Sequence, residues 1–355
     1  MQDVTSTNED SVMGLDVSDL RTHWCLLRPG QEEVWDRGSI STSREGLEEL
    51  LGSRRRRRVV LEVGQHSPWM RDVIEDLGHE AVVANPRKLP QISRSQHKND
   101  RKDAETLARL GRADRNLLHP IQHRRARTRC DLNVLRAREK VLATRTQLIN
   151  LARGMAKSSG HRLPSCDASA FAARVREAGL PVELRASLSP VVDLVDGMTQ
   201  TLKRYEKTLR EIARTRYPEH ELLEQIHGVG LLTSMTFLLV IDDPHRFRRS
   251  RDVGAYIGLV PRLQESGERR VLGHIGKGDP LLRRVLTQAA QYILGPFGQP
   301  SDLRRHGERI VERGGDRAKR RAVIAVARKL SVCLHHLWVT GEVYQPYRLE
   351  KAEAA

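Results

Sequence analysis

The first third of the chain alternates short apolar runs with amphipathic ones, a pattern typical of strands and helices. Three strand-like runs come first, between residues 12 and 41. They are followed by a predicted helix over Ser43–Leu51 with Ser43 as its N-cap, a strand over Arg58–Val63, a helix over Pro68–Leu77 and a strand over Glu80–Ala84. This order predicts an α/β domain built around a mixed sheet.

Residues 123–217 are highly charged, and their apolar positions recur at heptad spacing. The apolar positions are Val134, Val141, Leu148 and Met155, then Ala137, Thr144 and Leu151, and in the second half Val191, Val195, Met198, Leu202, Tyr205, Leu209 and Ile212. Gly160 and the stretch Leu163–Ser165 predict a break between two antiparallel helices. A helical hairpin within one chain and a coiled coil between chains both fit this pattern.

The last region is rich in glycine turns and arginine, and it ends in a helix predicted over Ala318–Val339. The apolar stripe of that helix contains Val323, Val326, Ala327, Leu330, Leu334 and Leu337. The chain is therefore predicted to have three parts, with bounds of 12–122, 123–217 and 218–345.

The amino-acid composition indicates the kind of partner that the protein binds. The 355 residues carry 61 Lys and Arg against 45 Asp and Glu, a formal net charge of +16 that favours a polyanionic partner. No apolar run approaches the ~18 residues of a bilayer span, and the polar, acidic N-terminal segment does not resemble a signal peptide. The four cysteines form no CxxC pair, which argues against a zinc ribbon and favours a reducing cytoplasm.

Four carboxylates stand out. Asp16 and Glu62 interrupt two apolar strand runs, where a carboxylate is costly unless it is paired or binds a metal. Asp100 and Asp103 are three residues apart, so on a helix they share one face. By themselves, these two aspartates also fit helix capping. Converging carboxylate oxygens favour a hard cation, Mg²⁺ or Mn²⁺, and two such ions can clamp both oxygens of a phosphodiester displacement.

The last region offers a second set of candidates. Gly228 and Gly230 precede a predicted helix, so their backbone amides are suited to binding phosphate, although a simple connection between helices also fits. Ser266 lies in a polar loop whose own pattern predicts a turn. The candidate phosphate contacts around and beyond this loop are Arg262, Arg269, Arg270, Lys277, Arg283 and Arg284.

Several of these stretches together resemble one known family. They are GLDVSD at Asp16, VVLEVGQHSPW at Glu62, KNDRKDAETLA at Asp100 and Asp103, IHGVGLLTSMTFLLVIDDPHRF, and AYIGLVPRLQESGERRVLGHIGKGDPLLRRVL at Ser266. The chain is similar to the DEDD transposases of insertion-sequence family one-hundred-ten, which include a pilin-gene invertase. The resemblance covers roughly residues 12–345.

The resemblance implies a fold and a site. The fold is an RNase H-like (RuvC-like) domain, a helical coiled-coil insertion and a mostly helical C-terminal transposase domain. The DEDD tetrad falls on Asp16, Glu62, Asp100 and Asp103, and the catalytic serine falls on Ser266. Glu268, next to the Ser-Gly pair, departs from the small residue that many members carry and adds a negative charge there.

The resemblance also implies how such a protein works. Family members cut and rejoin DNA through a covalent 5′-phosphoserine, with the metal-bound tetrad completing the site. A structured bridge RNA guides the choice of donor and target DNA. The working unit is a homotetramer assembled from dimers, here expected in the bacterial cytoplasm at the nucleoid.

Two other functions stay open from the residues alone. One is a RuvC-type junction nuclease in which a metal-activated water attacks the DNA and the last region only binds it. The other is a non-enzymatic nucleic-acid-binding remnant of a mobile element. Covalent attachment of DNA to Ser266 distinguishes the recombinase from both.

Overall fold

The computed structural model describes residues 11–31, 33–52, 55–85, 100–266 and 269–347, without the side chains of Asp100 and residues 262–272. The chain separates into two compact units, the first ending at Ala126 and the second beginning at Arg127.

The first unit is a mixed α/β domain, as predicted. Its elements are β1 (Val12–Val17), β2 (Arg21–Leu27), β3 (Val34–Ser41), α1 (Arg44–Leu51), β4 (Arg58–Glu62), α2 (Ser67–Asp76), β5 (Glu80–Ala84) and α3 (Asp100–Ala113). The strands form one sheet in the order β3-β2-β1-β4-β5. The pairs β3–β2 and β2–β1 are antiparallel, whereas β1–β4 and β4–β5 are parallel. The predicted N-cap is confirmed, because the Ser43 side chain accepts a hydrogen bond from the Gly46 amide at 3.1 Å.

Strand alternation gives this sheet two covered faces. On one face Met13, Leu15 and Leu61 are fully buried in a cluster that includes residues of α1 and α2. On the other face Val12 and Val60 pack with residues of α3. Because successive strand residues point to opposite faces, Asp16 and Glu62 belong to the face covered by α3.

The second unit is helical apart from one β-hairpin. Its elements are α4 (Ala126–Ser158), α5 (Phe171–Glu177), α6 (Val182–Arg216), α7 (Glu219–Glu224), α8 (Leu231–Ile241), α9 (Val253–Tyr256), β6 (Pro261–Ser266), β7 (Arg269–Ile275), α10 (Pro280–Leu294), α11 (Asp302–Glu312) and α12 (Ala318–Thr340). The two strands pair antiparallel as a separate sheet.

The helices α4 and α6 form an antiparallel hairpin within the chain, as the break at Gly160 predicts. Arg138 donates to Glu206 at 3.0 Å, and Arg145 donates to Thr199 at 3.2 Å, so later residues of α4 meet earlier residues of α6. A coiled coil between chains stays a prediction.

The heptad register predicted for α4 is wrong by one position. Leu151, predicted to lie in the seam, is 51% exposed. From Val134 onward, each buried residue of α4 directly follows a predicted one, and these buried residues are Leu135, Arg138, Ile149, Ala152 and Ala156. The reason is that arginines, Arg138 and Arg145, occupy two positions of the seam. They make polar contacts with α6, and a search for apolar positions does not detect such contacts. In α6 the predicted Val195, Leu202, Leu209 and Ile212 are buried, while Val192 and Thr199 replace their predicted neighbours Val191 and Met198.

Helix α12 forms the centre of the second unit's core. Its predicted stripe is largely confirmed, with Val326, Ala327, Leu330, Leu334 and Leu337 all buried. Among the described residues, α12 is the helix whose length and composition would allow it to cross a membrane. In this structure 44% of its most apolar window is buried inside the protein.

A buried histidine attaches α12 to the loop that follows α8. His335 bonds the Pro244 carbonyl through Nε2 at 2.8 Å and the Ser250 hydroxyl through Nδ1 at 3.0 Å. The carbonyl only accepts, so Nε2 carries the proton and Nδ1 accepts from Ser250. Burial lowers the pKa of His335 below its ordinary value, an effect that the Pro244 carbonyl partly opposes.

We expect this histidine to make the second unit less stable in acid. As the pH is lowered below about 6.5, the unfolded chain takes up a proton at this position before the folded chain does. The free energy of unfolding therefore decreases as the pH decreases. His335→Gln should lower the free energy of unfolding by roughly 1–3 kcal/mol at pH 7.5 and by less at pH 5.5, as measured by urea unfolding. The exposed His227, changed to Gln, is the control for the loss of an imidazole from this unit. An equal cost of His335→Gln at both pH values would contradict the assignment.

Candidate active site

Two of the four predicted carboxylates lie side by side on the central strands. In the parallel pair of β1 and β4, Leu15 is opposite Leu61. Asp16 and Glu62 are the next residues of each strand, so their side chains project from the same face of the sheet. Both residues are half-buried, and Glu62 Oε1 is shielded from solvent.

Helix α3 brings a third carboxylate to the same edge. The backbone of α3 lies so close to β1 that a Cβ on Gly14 would be 2.0 Å from the Ala104 carbonyl oxygen. Further along the helix, Gly111 faces the side chains of Val12 and Val60. Helix α3 therefore runs antiparallel to β1, and its first turns lie toward the end of β1 that carries Asp16. Asp103, directly before Ala104, is in these turns and half-buried.

The donor chemistry fits a divalent cation. Carboxylate oxygens are the ligands that Mg²⁺ and Mn²⁺ prefer, and Asp16, Glu62 and Asp103 contribute carboxylates only. Within the described side chains, however, no three His, Cys, Asp or Glu residues form a group that could hold a metal ion. The side chain of Asp100, the fourth predicted ligand, lies outside the described residues.

Sequence reasoning missed a polar chain beside these carboxylates. His66 Nε2 lies 3.1 Å from Asp19 Oδ1, and Trp69 Nε1 donates to His66 Nδ1 at 3.1 Å. Because Trp69 can only donate, His66 carries its proton on Nε2 and donates it to Asp19. The signal available in the sequence was the polar stretch Gly64–Ser67 directly after an apolar strand.

The predicted nucleophile lies in the second unit, at the tip of the β-hairpin. Ser266 ends β6, and its backbone is paired with that of Arg269 in β7. The side chains of Ser266, Arg262, Arg269 and Arg270 lie outside the described residues. The two units are described separately, so the predicted approach of Ser266 to the carboxylates stays a prediction.

Two glycine stretches anchor the base of this hairpin. Gly258 has φ +73°, and a Cβ on it would be 2.7 Å from the Gly276 carbonyl oxygen. A Cβ on Gly278 would be 2.1 Å from the Ile257 carbonyl oxygen. The backbones before β6 and after β7 therefore cross in direct contact, an approach that only glycine permits.

Two family models match this chain. A family model described as a DEDD transposase of IS110 matches residues 13–159, which include all four carboxylates. A second, described as the transposase IS116/IS110/IS902 family, matches residues 220–302, which include Ser266. The chain belongs to the IS110/IS116 family of DEDD transposases.

Named relatives support this membership. The chain is 28% identical over 301 residues to the transposase for insertion sequence element IS1111A of Coxiella burnetii, covering 81% of this chain and 79% of that protein. It is 26% identical over 239 residues to the transposase for insertion sequence element IS1328 of Yersinia enterocolitica, covering 66% and 70%. Over 113 residues it is 30% identical to the pilin gene-inverting protein of Moraxella lacunata, covering 31% and 33%.

Membership in this transposase family establishes an enzyme that cuts and rejoins DNA. The DEDD domain implies an RNase H-like fold, and the mixed five-stranded sheet of the first unit agrees with it. The domain also implies dependence on a divalent metal.

The glycines that were predicted to bind nucleic acid lie at the start of α8 in this transposase. Gly228 has φ +99° and packs against Tyr292 and Ile293, so a side chain there would be strained. Gly230 is the exposed N-cap of α8, and no side chain caps that helix. The two glycines thus lie in a short connection between α7 and α8, and their binding to phosphate stays a prediction.

The remaining predicted cations cluster around the start of α10. Lys277 is exposed in the loop before that helix, where Asp279 is the N-cap. Arg283 donates to the Gly276 carbonyl at 3.3 Å, and Arg284 forms an ion pair with Glu139 of α4.

Proposed function

We propose that this transposase cuts and rejoins DNA through a covalent bond to Ser266, assisted by a carboxylate cluster of Asp16, Glu62, Asp100 and Asp103. The observation that carries the proposal is the position of Asp16 next to Glu62 on two parallel strands, under the first turns of α3. This is where the ends of separate elements meet, and packing alone does not call for two carboxylates there.

In this proposal the carboxylates bind a divalent cation. Asp16, Glu62 and Asp103 would bind Mg²⁺ or Mn²⁺ on the α3 face of the sheet, with Asp100 as the fourth ligand. When bound, the cation supplies Lewis acidity toward a phosphodiester oxygen. The close contact at Gly14 keeps the α3 backbone fixed against β1, so the carboxylates have little freedom to separate.

Ser266 has the nucleophilic role. Its Oγ attacks a phosphodiester phosphorus, an Oγ–P bond forms, the P–O3′ bond breaks, and the serine proton ends on the departing 3′ oxygen. The product is a 5′-phosphoserine, so the phosphodiester energy is conserved and rejoining to another 3′ hydroxyl needs no added cofactor. Arg262, Arg269 and Arg270 stabilise the negative charge that develops on the phosphoryl oxygens.

The carboxylates and the serine lie in different parts of the chain, which suits an assembly of several protomers. The cluster belongs to residues 12–122 and the serine to residues 218–345, with the 123–217 hairpin between them. We propose that dimers joined through the hairpin form a tetramer in which one protomer supplies the carboxylates and another the serine. A bridge RNA selects donor and target DNA, and the complex acts at the nucleoid in the cytoplasm. The positive charge of +16 suits both nucleic acids.

We expect Ser266→Ala to abolish covalent attachment of DNA. Full-length protein incubated with bridge RNA, end-labelled cognate DNA and Mg²⁺ should give a protease-sensitive shifted band on a denaturing gel, and the Ala variant should give none. The physical reason is that alanine lacks the oxygen that forms the Oγ–P bond. Mass spectrometry of the digested adduct should locate the nucleotide on Ser266.

Ser187, an exposed serine of α6, provides the matched control, and Ser187→Ala should form the adduct normally. Cleavage by Ser266→Ala that leaves free 5′-phosphate ends would overturn the serine mechanism. That result would instead favour the RuvC-type nuclease, in which water attacks the phosphorus.

A further inference from the structure

A large cleft lies in the second unit, at the base of the β-hairpin that carries Ser266 at its tip. Its walls come from α11, α12, the end of β7 and the C-terminal segment 342–346, and its volume is about 1290 Å³. Among the residues whose side chains the structure describes, none of those assigned above to DNA cleavage lines it.

One wall of the cleft is strongly cationic. Helix α12 and the residue before it contribute Arg317, Arg320, Arg321, Arg328 and Lys329. Among the described residues, Arg320, Arg328 and Lys329 form no ion pair, so their charge is available to a ligand. Two acidic residues, Asp302 and Glu342, also line the cleft, and their carboxylates already contact Arg305 and His336.

A half-buried histidine lies in the same positive potential. His306, in α11, lines this cleft. Burial is the first cause that lowers its pKa, and the nearby charges of Lys329, Arg309 and Arg313 lower it further. A group that resists protonation for this reason lies in a field that attracts anions.

The floor of the cleft is apolar. Leu259, Ile324, Ala325, Val332 and Leu337 line it between the cations. A small anion or a duplex backbone satisfies the cations but leaves this floor exposed to water. A ligand that combines regularly spaced negative charges with flat apolar groups satisfies both, and unstacked nucleotides have that chemistry.

A second hollow extends the cleft along α10. It measures about 510 Å³ and shares Leu259 and Ile324 with the cleft, so the two adjoin. Arg283, Gln288 and Gln291 line it. Arginine and glutamine side chains are suited to hydrogen bonds with base edges. The wall from residue 317 to residue 332 is itself about 22 Å long, at ~1.5 Å per helical residue.

We propose that this groove, the cleft together with its extension, binds an unpaired stretch of polynucleotide. The phosphates lie along the cationic wall of α12, and the bases lie against Ile324, Ala325 and Val332. The site goes beyond the proposed cleavage chemistry, since it uses neither Ser266 nor the carboxylates. It gives this transposase a place to hold a single strand, either a guide RNA loop or a DNA strand displaced during exchange.

Fluorescence anisotropy of the full-length protein, with EDTA present to prevent cleavage, tests the groove directly. The probes are labelled oligonucleotides of one sequence, as unpaired RNA, unpaired DNA and blunt DNA duplex. The double variant Arg320→Ala, Lys329→Ala should bind unpaired strands at least tenfold more weakly. Its log–log salt slope should fall by about 1.4, at ~0.7 for each lost phosphate contact. The exposed Arg210→Ala, on α6, is the control for loss of one positive charge.

A variant that fills the groove separates base binding from general attraction of charge. Ala325→Trp keeps every cation but fills the floor of the groove. It should therefore weaken the binding of unpaired strands tenfold or more and leave the binding of the duplex unchanged. Val332→Trp repeats the test if circular dichroism shows that the first variant is misfolded. Tighter binding of RNA assigns the groove to a guide, tighter binding of DNA assigns it to a displaced strand, and equal binding supports a site for either. Unaltered binding of unpaired strands by the double variant or by the folded Trp variant would overturn the proposal, whatever the outcome at Ser266.

Discussion

Asp16→Asn should reduce DNA cleavage at least about a hundredfold without lowering the melting temperature. Removing an outer-shell partner of a metal ligand typically lowers metal affinity or activity ~10–100-fold. Removing a direct ligand should lower activity at least as much. Asparagine keeps the shape of Asp16 in β1 but removes a charge from a face where Glu62 is its neighbour, so folding should be unharmed or slightly favoured. Thermal unfolding and single-turnover cleavage of labelled DNA measure the two effects. Glu62→Gln should behave in the same way.

Asp19→Asn is the matched control for this substitution. Asp19 is three residues away and largely exposed, with its carboxylate paired to His66. Losing an exposed pair has a small effect on stability, so this variant should cleave DNA within a few-fold of the wild-type rate. Normal cleavage by Asp16→Asn, or a melting temperature that falls together with activity, would remove Asp16 from the site.

Gly14→Ala should disrupt the first unit even though it adds one methyl group. The new Cβ would lie 2.0 Å from the Ala104 carbonyl oxygen and 2.7 Å from the Ala108 nitrogen. Both atoms are helix backbone, so α3 as a whole has to move. Overpacking of this kind costs roughly 1–3 kcal/mol or more. Urea unfolding should show the loss of stability, and cleavage should fall because displacement by ~1 Å can cost 10²-fold in rate.

Gly64→Ala tests whether the effect is steric. Gly64 follows β4 in the same unit, and a Cβ there meets nothing within 4 Å. Its substitution should leave the free energy of unfolding within about 1 kcal/mol of wild type. Equal losses in the two variants would show that the contact between α3 and β1 does not determine stability.

Local signals in the sequence were sufficient for much of the fold. Ser43 was identified as an N-cap, and the strand Glu80–Ala84 has the predicted bounds, because side-chain capping and strand alternation act over a few residues. The register of α4 was not predictable in this way. Arg138 and Arg145 lie in its seam because Glu206 and Thr199 face them from α6, and those partners are more than 50 residues away.

The candidate site shows the same limit. Asp16 and Glu62 were recognised because a carboxylate inside an apolar strand is unusual, and the pairing of β1 with β4 puts them side by side. The requirement for glycine at position 14 depends on the path of α3, which no local pattern contains. The cationic groove was missed because the cleft itself forms only where α12 packs beside α11 and β7.

The hairpin of α4 and α6 contains two apolar cores with a polar section between them. Near its base, Leu132, Leu135 and Leu209 join the core around α12, while near its tip Ile149, Phe171 and Leu188 belong to a separate cluster. The section between them includes the buried Leu202, and Arg138 and Arg145 bridge it with hydrogen bonds to α6. We expect the tip to open independently of the base, so its amide hydrogens should exchange by local opening while those at the base exchange with the whole domain. Opening of the tip alone would leave the core around α12 intact.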